Sequence, residues 1–196
     1  MLNVVLVAPE IPANTGNIGR TCVVTGSRLH LVGPLGFSLD EKSLHRAGLG
    51  YWESLDVTTY ESWADFVKEN GLADPSDRRV HLLTKKARRT YAEARYADGD
   101  FLVLGCESVG LPERLLAERP GSCERIPMLP DAVSLANAQQ WRRGAPLSHA
   151  PLRQQDVCGN FVDPEDWRIS ALNLSNAAAV VLYEALRQTG FPGMER

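Results

Sequence analysis

The near-continuous aliphatic stretch from Leu2 to Ala8 limits the fold more than any other part of the chain. Alternating polar residues would mark a strand with one wet face. Their absence from Val4 to Ala8 predicts a strand covered on both faces, as in a parallel sheet. Further strands are predicted at Arg28–Val32, Arg79–Thr84, Asp100–Gly105 and Cys123–Met128, with a short one at Val57–Tyr60. Helical segments fall between them. One spans about Thr15 to Thr25, capped by Asn14 or Thr15. A short one spans Asp40 to Ala47. A third spans Ser62 to Asn70, with Trp63, Phe66 and Val67 at helical spacing and Gly71 as the stop. A fourth spans Pro112 to Glu118, with proline in its first turn. Strands alternating with helices predict an α/β fold, a mostly parallel sheet flanked by helices with right-handed crossovers. Such sheets hold ligands at the carboxyl ends of their strands, here Thr84, Gly105–Gly110 and Met128–Asp131.

The stretch Ser170–Asn176 runs directly into Ala177–Arg187. A polar Asn/Ser turn ahead of an apolar run predicts a helix start capped by Asn173 or Ser175. No charge occurs from Ala177 to Leu182, which predicts a helix buried on nearly every side. Its exposed N–H donors also make a place for a ligand. Between Ala132 and Ile169 the rhythm breaks. That segment is polar and rich in Gln, Arg and Pro, and reads as an inserted surface loop, with a short helix near Ala136–Arg142. The expectation is one domain, 1–196, with a loop inserted at about 132–169.

The net charge of −3 argues against binding nucleic acid by bulk charge and leaves room for a local patch. Arg78, Arg79, Lys85, Lys86, Arg88, Arg89 and Arg95 supply one, with Glu93 their only acid, and suit phosphate contacts as well as a solvated face. Cys22, Cys106, Cys123 and Cys158 show no metal-ligand spacing and read as free thiols of a reducing compartment. The histidines at 30, 45, 81 and 149 show no ligand spacing either and read as surface or strand-end residues; no metal is expected. Val4–Ala8 is too short for a signal peptide or a membrane span, so a cytoplasmic protein without membrane contact is expected. The glycines form no G-x-G-x-x-G, and no G-K-[ST], G-x-S-x-G or H-E-x-x-H occurs, which argues against several common enzyme classes. Gly105-Cys-Glu-Ser-Val-Gly110 at a strand end suits a close backbone approach to a flat ligand.

Three segments are more specific together than singly: Asn14 with Gly16, Asn17 and Arg20; Gly105-x-Glu107-x-x-Gly110 with Leu111-Pro112; and Ile126-Pro127-Met128 with the later Leu172–Asn176. In that order they resemble the SPOUT class of RNA methyltransferases, across nearly the whole chain except Ala132–Ile169. The opening Met1–Leu6 with Pro9–Pro12, and the stretch Arg46–Tyr51, resemble the small single-domain TrmL/YibK-like kind. Its members 2'-O-methylate the wobble nucleotide, cytidine or uridine 34, of certain leucine tRNAs.

The resemblance implies an α/β fold with a C-terminal trefoil knot. It implies S-adenosyl-L-methionine as methyl donor, leaving S-adenosyl-L-homocysteine, and a homodimer with the active site at the interface. By position, the cofactor pocket would be lined by Leu83, Thr84, Gly105, Gly110, Ile126, Met128, Ser170, Leu172 and Leu174. Catalysis would fall to Arg20, with Asn14 and Glu107 orienting it or the substrate and Ser175 and Tyr183 in support. Lys85, Lys86, Arg88, Arg89 and Arg46 would contact RNA. A guanidinium, with a pKa above roughly 12, is a poor general base, so Arg20 is better read as an anchor for a phosphate or developing alkoxide. The long segment 132–169 departs from the family pattern, in which the Ile-Pro-Met strand leads directly to the Asn-Leu-Ser-Asn helix. Ser134-Leu-Ala-Asn-Ala138 resembles a second copy of that motif. Either copy would supply the cofactor loop; the Ser170 copy is preferred because it alone keeps Asn173, Ser175, Asn176 and the apolar helix. Methylation of a different RNA, and an RNA- or cofactor-binding protein without turnover, stand as alternatives.

Overall fold

The computed structural model describes residues 1–38, 52–128, 154–155, 161–162 and 171–195. Six parallel strands form one sheet in the order β3-β2-β1-β5-β4-β6. They are β1 (Asn3–Val7), β2 (Arg28–Val32), β3 (Val57–Tyr60), β4 (Val80–Leu83), β5 (Phe101–Leu104) and β6 (Cys123–Glu124). Among the described residues the α-helices are α1 (Pro12–Thr25), α2 (Trp63–Glu69), α3 (Glu113–Glu118) and α4 (Leu174–Thr189). Two short strands, β7 (Gln154–Gln155) and β8 (Phe161–Val162), pair antiparallel apart from the main sheet.

Strand β1 lies at the centre, with β2 on one side and β5 on the other, and all five of its residues are buried. Side chains alternate across a strand, so the two faces divide by parity. Val4 and Leu6 join Ile18 of α1 and Val181, Leu182 and Leu186 of α4 in one core cluster. Val5 and Val7 join Phe66 of α2 and Leu115 and Leu116 of α3 in the other. The unbroken apolar run therefore follows from helices covering both faces.

Several elements differ from the sequence expectations. Helix α1 starts earlier, at Pro12, after Ile11, and no side chain caps it. Asn14 and Thr15 are not its caps; both are buried inside the first turns. The last core strand is shorter than Cys123–Met128: it ends at Glu124, and Arg125 forms only an isolated bridge to Thr90. Helix α4 begins as expected, with Asn173 Oδ1 accepting from the Ser175 N–H at 2.9 Å. It is not buried all round. Ala178, Val181, Leu182, Ala185 and Leu186 form one buried stripe, while Val180 and Tyr183 are exposed. Absence of charge set the composition of that helix without saying which side faces the core. The segments expected as helices at 40–47 and 136–142 lie outside the described residues. So does most of the expected 132–169 insert.

Two histidines are not at the surface. His30 of β2 is buried, with ring nitrogens 2.9 Å from the Tyr60 hydroxyl and 3.1 Å from Asn3 Oδ1. His81 of β4 is clasped between carboxylates, Nδ1 at 2.8 Å from Glu124 Oε1 and Nε2 at 3.1 Å from Asp100 Oδ2. Glu124, fully buried, also accepts from the Tyr96 hydroxyl and from Arg89 Nη2, both at 2.7 Å. A buried carboxylate is tolerable only with such partners.

The two rings titrate in opposite directions. Burial pushes His30 down to about 4, helped by Arg28 and opposed by Asp56. Burial also disfavours the charged form of His81, but hydrogen bonds and charges from Asp100 and Glu124 outweigh it and push the ring up to about 9. A depressed histidine loses its stabilising effect as pH falls from its unfolded value, about 6.5, through its folded one. A raised histidine contributes fully below about 6.5 and loses that contribution as pH rises through its folded value. Urea unfolding across pH 4 to 9 is therefore expected to give a stability maximum near pH 6.5, with each limb worth on the order of 3 kcal/mol. A His81→Gln protein should lose the alkaline limb and keep the acid one. Equal stability of the wild type at pH 6.5 and 9 would contradict the assignment.

Candidate active site

Strand order places the topological switch point between β1 and β5. From β1 the chain winds outward through β2 and β3, and β4 and β6 lie beyond β5. Ligand crevices in open parallel sheets form at this point, beyond the carboxyl ends of the strands. Beyond β1 the chain passes Ala8, held at φ 51, and reaches Glu10. Beyond β5 it forms the tight loop Gly105–Gly110, closed by the Gly110 N–H donating to the Cys106 carbonyl at 3.0 Å. Gly110 turns at φ 75, a conformation that favours glycine. A Cβ on Gly105 would lie 2.1 Å from the Gly110 carbonyl carbon. The backbone that approaches Gly105 so closely is thus the loop's own.

One hydrogen-bond chain crosses the crevice. Asn14 Nδ2 donates to Glu107 Oε1 at 2.8 Å, and Asn173 Nδ2 donates to Asn14 Oδ1 at 2.9 Å. Asn173 Oδ1 accepts from the Ser175 N–H at 2.9 Å and its hydroxyl at 2.7 Å. The direction of every bond is fixed from one end. The Ser175 N–H can only donate, so the Asn173 oxygen faces it; the Asn173 amide then faces Asn14, and the Asn14 amide faces Glu107. The first turn of α1, the loop after β5 and the start of α4 are locked together by side chains far apart in sequence. Asn14, 6% exposed, is the hub.

Asn14, Glu107 and Ser175 are brought together; Arg20 and Tyr183 are not in this chain of bonds. Arg20 is exposed, six residues beyond Asn14 on α1. Six residues rotate a helix to about 120° off the starting face and about 9 Å along it. Tyr183 is 48% exposed on α4, about 12 Å along the helix from Ser175.

The residues expected to line a cofactor pocket gather at adjacent strand ends. Leu83 pairs with Leu104 on one side and Glu124 on the other, so Leu83, Gly105 and Ile126 sit at or just beyond three neighbouring strand ends. Leu83, Ile126 and Leu174 are half-buried and pack on the same core cluster. The Thr84 N–H donates to the Glu124 carbonyl at 2.8 Å. Met128 is half-buried and Leu172 exposed. Ser170 and Arg46 lie outside the described residues, as does the Ser134 copy of the motif.

The basic patch divides. Lys86 pairs with Glu113. Arg89 binds Glu124 and also donates to the Gly121 carbonyl. Lys85, Arg88 and Arg89 are all exposed at the surface, and Lys86 is half-buried. Sequence reasoning missed Glu10, whose N–H donates to Glu107 Oε2 at 2.9 Å and whose carboxylate binds Ser108. In the sequence it stands within Pro9–Pro12, a stretch that carries the family resemblance, with no role of its own assigned. Among the described residues no group of three His, Cys, Asp or Glu is arranged to hold a metal.

Comparison with known proteins places this geometry in context. Residues 1–140 match the model of the SpoU rRNA Methylase family. A protein of Escherichia coli K12 named tRNA (cytidine(34)-2'-O)-methyltransferase is 38% identical over 194 residues, spanning 98% of this chain and 97% of the relative. A solved structure described as giving insight into the 2-OH methylation of C/U34 on tRNA superposes with a TM-score of 0.68 at 34% identity, covering 96% of this chain and 95% of the other. The SpoU methyltransferase AviRb from Streptomyces viridochromogenes, solved with AdoMet, shares the fold alone: TM-score 0.63 at 23% identity, over 96% of this chain and 60% of that one.

Proposed function

We propose, since this chain belongs to the SpoU rRNA Methylase family, that it methylates the ribose 2'-oxygen of the wobble nucleotide of tRNA, using S-adenosyl-L-methionine. The substrates on this reading are leucine isoacceptors carrying cytidine or uridine 34. The observation that carries it is the chain of bonds from Glu107 through Asn14 and Asn173 to Ser175, which joins the three characteristic segments at the switch point. The names borne by the two relatives at 34% and 38% identity support the tRNA substrate.

The donor set fits the cofactor. Leu83 and Ile126 at adjacent strand ends, with Leu174 at the start of α4, offer an aliphatic wall suited to an adenine ring, beside the glycine-bounded loop 105–110. Thr84, Gly110, Met128, Leu172 and Ser170 complete the set on this reading. Bound there, the cofactor supplies a methyl group that is already strongly electrophilic. The protein's own task is positional: to hold a ribose 2'-oxygen in line, about 3 Å from its target, and to ease loss of the proton. Asn14 and Glu107 orient; Arg20 holds a phosphate or the developing alkoxide; Ser175 and Tyr183 assist.

The same reading includes a C-terminal trefoil knot and a cytoplasmic homodimer, with 132–169 inserted in a single domain. Helices α1 and α4 contact each other, and α4 also contacts β5. Exposed apolar side chains on those helices, Val24 at 65%, Val180 and Tyr183, support an interface there. The exposure of Arg20, off the face of Asn14, suits a role in the partner's site. Lys85, Lys86, Arg88 and Arg89 contact RNA on this reading, as does Arg46.

Labelled AdoMet, supplied with unmodified bulk tRNA or with ribosomal RNA, tests the proposal. Label is expected in tRNA alone. Label in ribosomal RNA instead, or cofactor binding by calorimetry without transfer to either, would overturn it.

A further inference from the structure

Glu10 is tied to the loop after β5 in both directions. Its backbone N–H donates to Glu107 Oε2 at 2.9 Å. Its own carboxylate accepts from the Ser108 N–H at 3.0 Å and the Ser108 hydroxyl at 2.7 Å. The exits of β1 and β5, the two strands flanking the switch point, are thus stitched by three bonds. The backbone of Glu10 is itself held from behind. The Gly36 N–H donates to the Pro9 carbonyl at 2.9 Å, and a Cβ on Gly36 would fall 2.9 Å from the Glu10 Cα.

Both oxygens of Glu107 are then assigned: one takes the Glu10 N–H, the other the Asn14 amide. The Gly105–Gly110 loop, bounded by two glycines, has little side-chain packing of its own; Ser108 and Val109 are exposed. The Glu10 carboxylate, gripping Ser108 one residue beyond Glu107, restrains where the Glu107 carboxylate points.

We propose that Glu10 is a positioning residue for methyl transfer, acting through Ser108 to hold Glu107 against Asn14. It rests on the active-site reading given above. The effect falls chiefly on the turnover step, because the Glu10 bonds end on Ser108 beside Glu107, between the two loop glycines of the cofactor set, while the aliphatic wall of Leu83, Ile126 and Leu174 stands on β4, beyond β6 and on α4.

Glu10→Ala removes both side-chain bonds. Glu10→Gln can keep both: its carbonyl oxygen accepts from the Ser108 N–H and its amide donates to the Ser108 hydroxyl. In single-turnover transfer to tRNA, Glu10→Ala is expected to slow the rate about 10- to 100-fold, with AdoMet KM within about threefold of wild type. Glu10→Gln should recover most of that rate, and Ser108→Ala, which keeps the backbone bond, should fall between them. Equal slowing by Glu10→Ala and Glu10→Gln would overturn the proposal, since charge rather than positioning would then be at work. So would a Glu10→Ala rate within about twofold of wild type. Hydrogen exchange at the Ser108 amide reads the latch without any assay of activity. It should speed at least about tenfold in Glu10→Ala and stay near wild type in Glu10→Gln; no change in Glu10→Ala would overturn the proposal. If wild-type protein itself transfers nothing to tRNA, the functional reading has failed, and the exchange result alone judges the latch.

Discussion

Arg20→Ala is expected to abolish methyl transfer to tRNA while leaving AdoMet affinity within about a few-fold of wild type. The split follows from where Arg20 stands. It is exposed on α1, turned off the face that carries Asn14 into the bond chain, and on a different element from the Leu83, Ile126 and Leu174 wall. A guanidinium offers five donors in a fixed fork and keeps its charge, which suits a phosphate or an oxygen gaining negative charge. Arg20→Lys keeps the charge but loses the fork, and is expected to restore only a small part of the rate. Calorimetric titration with AdoMet beside single-turnover transfer separates the two effects. Loss of cofactor binding in Arg20→Ala would show that Arg20 builds the pocket rather than serving the RNA.

The second large effect is expected at Asn14. Asn14→Ala leaves the Glu107 Oε1 and the Asn173 amide without their shared partner, at a cost of about 1–3 kcal/mol in stability. The kinetic loss is expected to be larger, about 100-fold in kcat, because three elements lose their common alignment. Asn14→Asp is the sharper probe. It preserves shape but sets a carboxylate oxygen where the amide stood, 2.8 Å from Glu107. It should be the more damaging substitution at neutral pH, and partial recovery is expected as acid neutralises one of the two carboxylates. Urea unfolding and transfer rates across pH 5 to 8 check both. An Asn14→Asp protein with the wild-type rate at neutral pH would contradict the proposed role of the bond chain.

Much of the fold was legible because hydrophobic runs report burial directly. Val4 to Val7 read as a strand covered on both faces, and its odd and even residues do feed separate clusters. What escaped was relational. The four histidines read as peripheral because nothing adjacent marked them, yet His81 finds its carboxylates 19 and 43 residues away. Arg89 read as part of a basic surface patch, and nothing local announced that it also pairs with the buried Glu124. The α4 sequence was apolar enough for full burial, and only the register of Ala178, Val181, Leu182 and Ala185 against α1 and the sheet shows which side is covered. Asn14, Glu107 and Ser175 were recoverable as motif residues. The bonds that join them, and the contribution of Glu10, depend on loop geometry that no local pattern encodes.

Mapping the labelled nucleotide tests the central claim most directly. Wild-type protein, labelled AdoMet and an unmodified leucine tRNA transcript with cytidine or uridine at position 34 are combined, and the product is digested and sequenced. Resistance to alkaline cleavage confined to the ribose of nucleotide 34, absent with Arg20→Ala protein, is the expected result. Label on a base, or on a ribose elsewhere in the tRNA, would contradict the account.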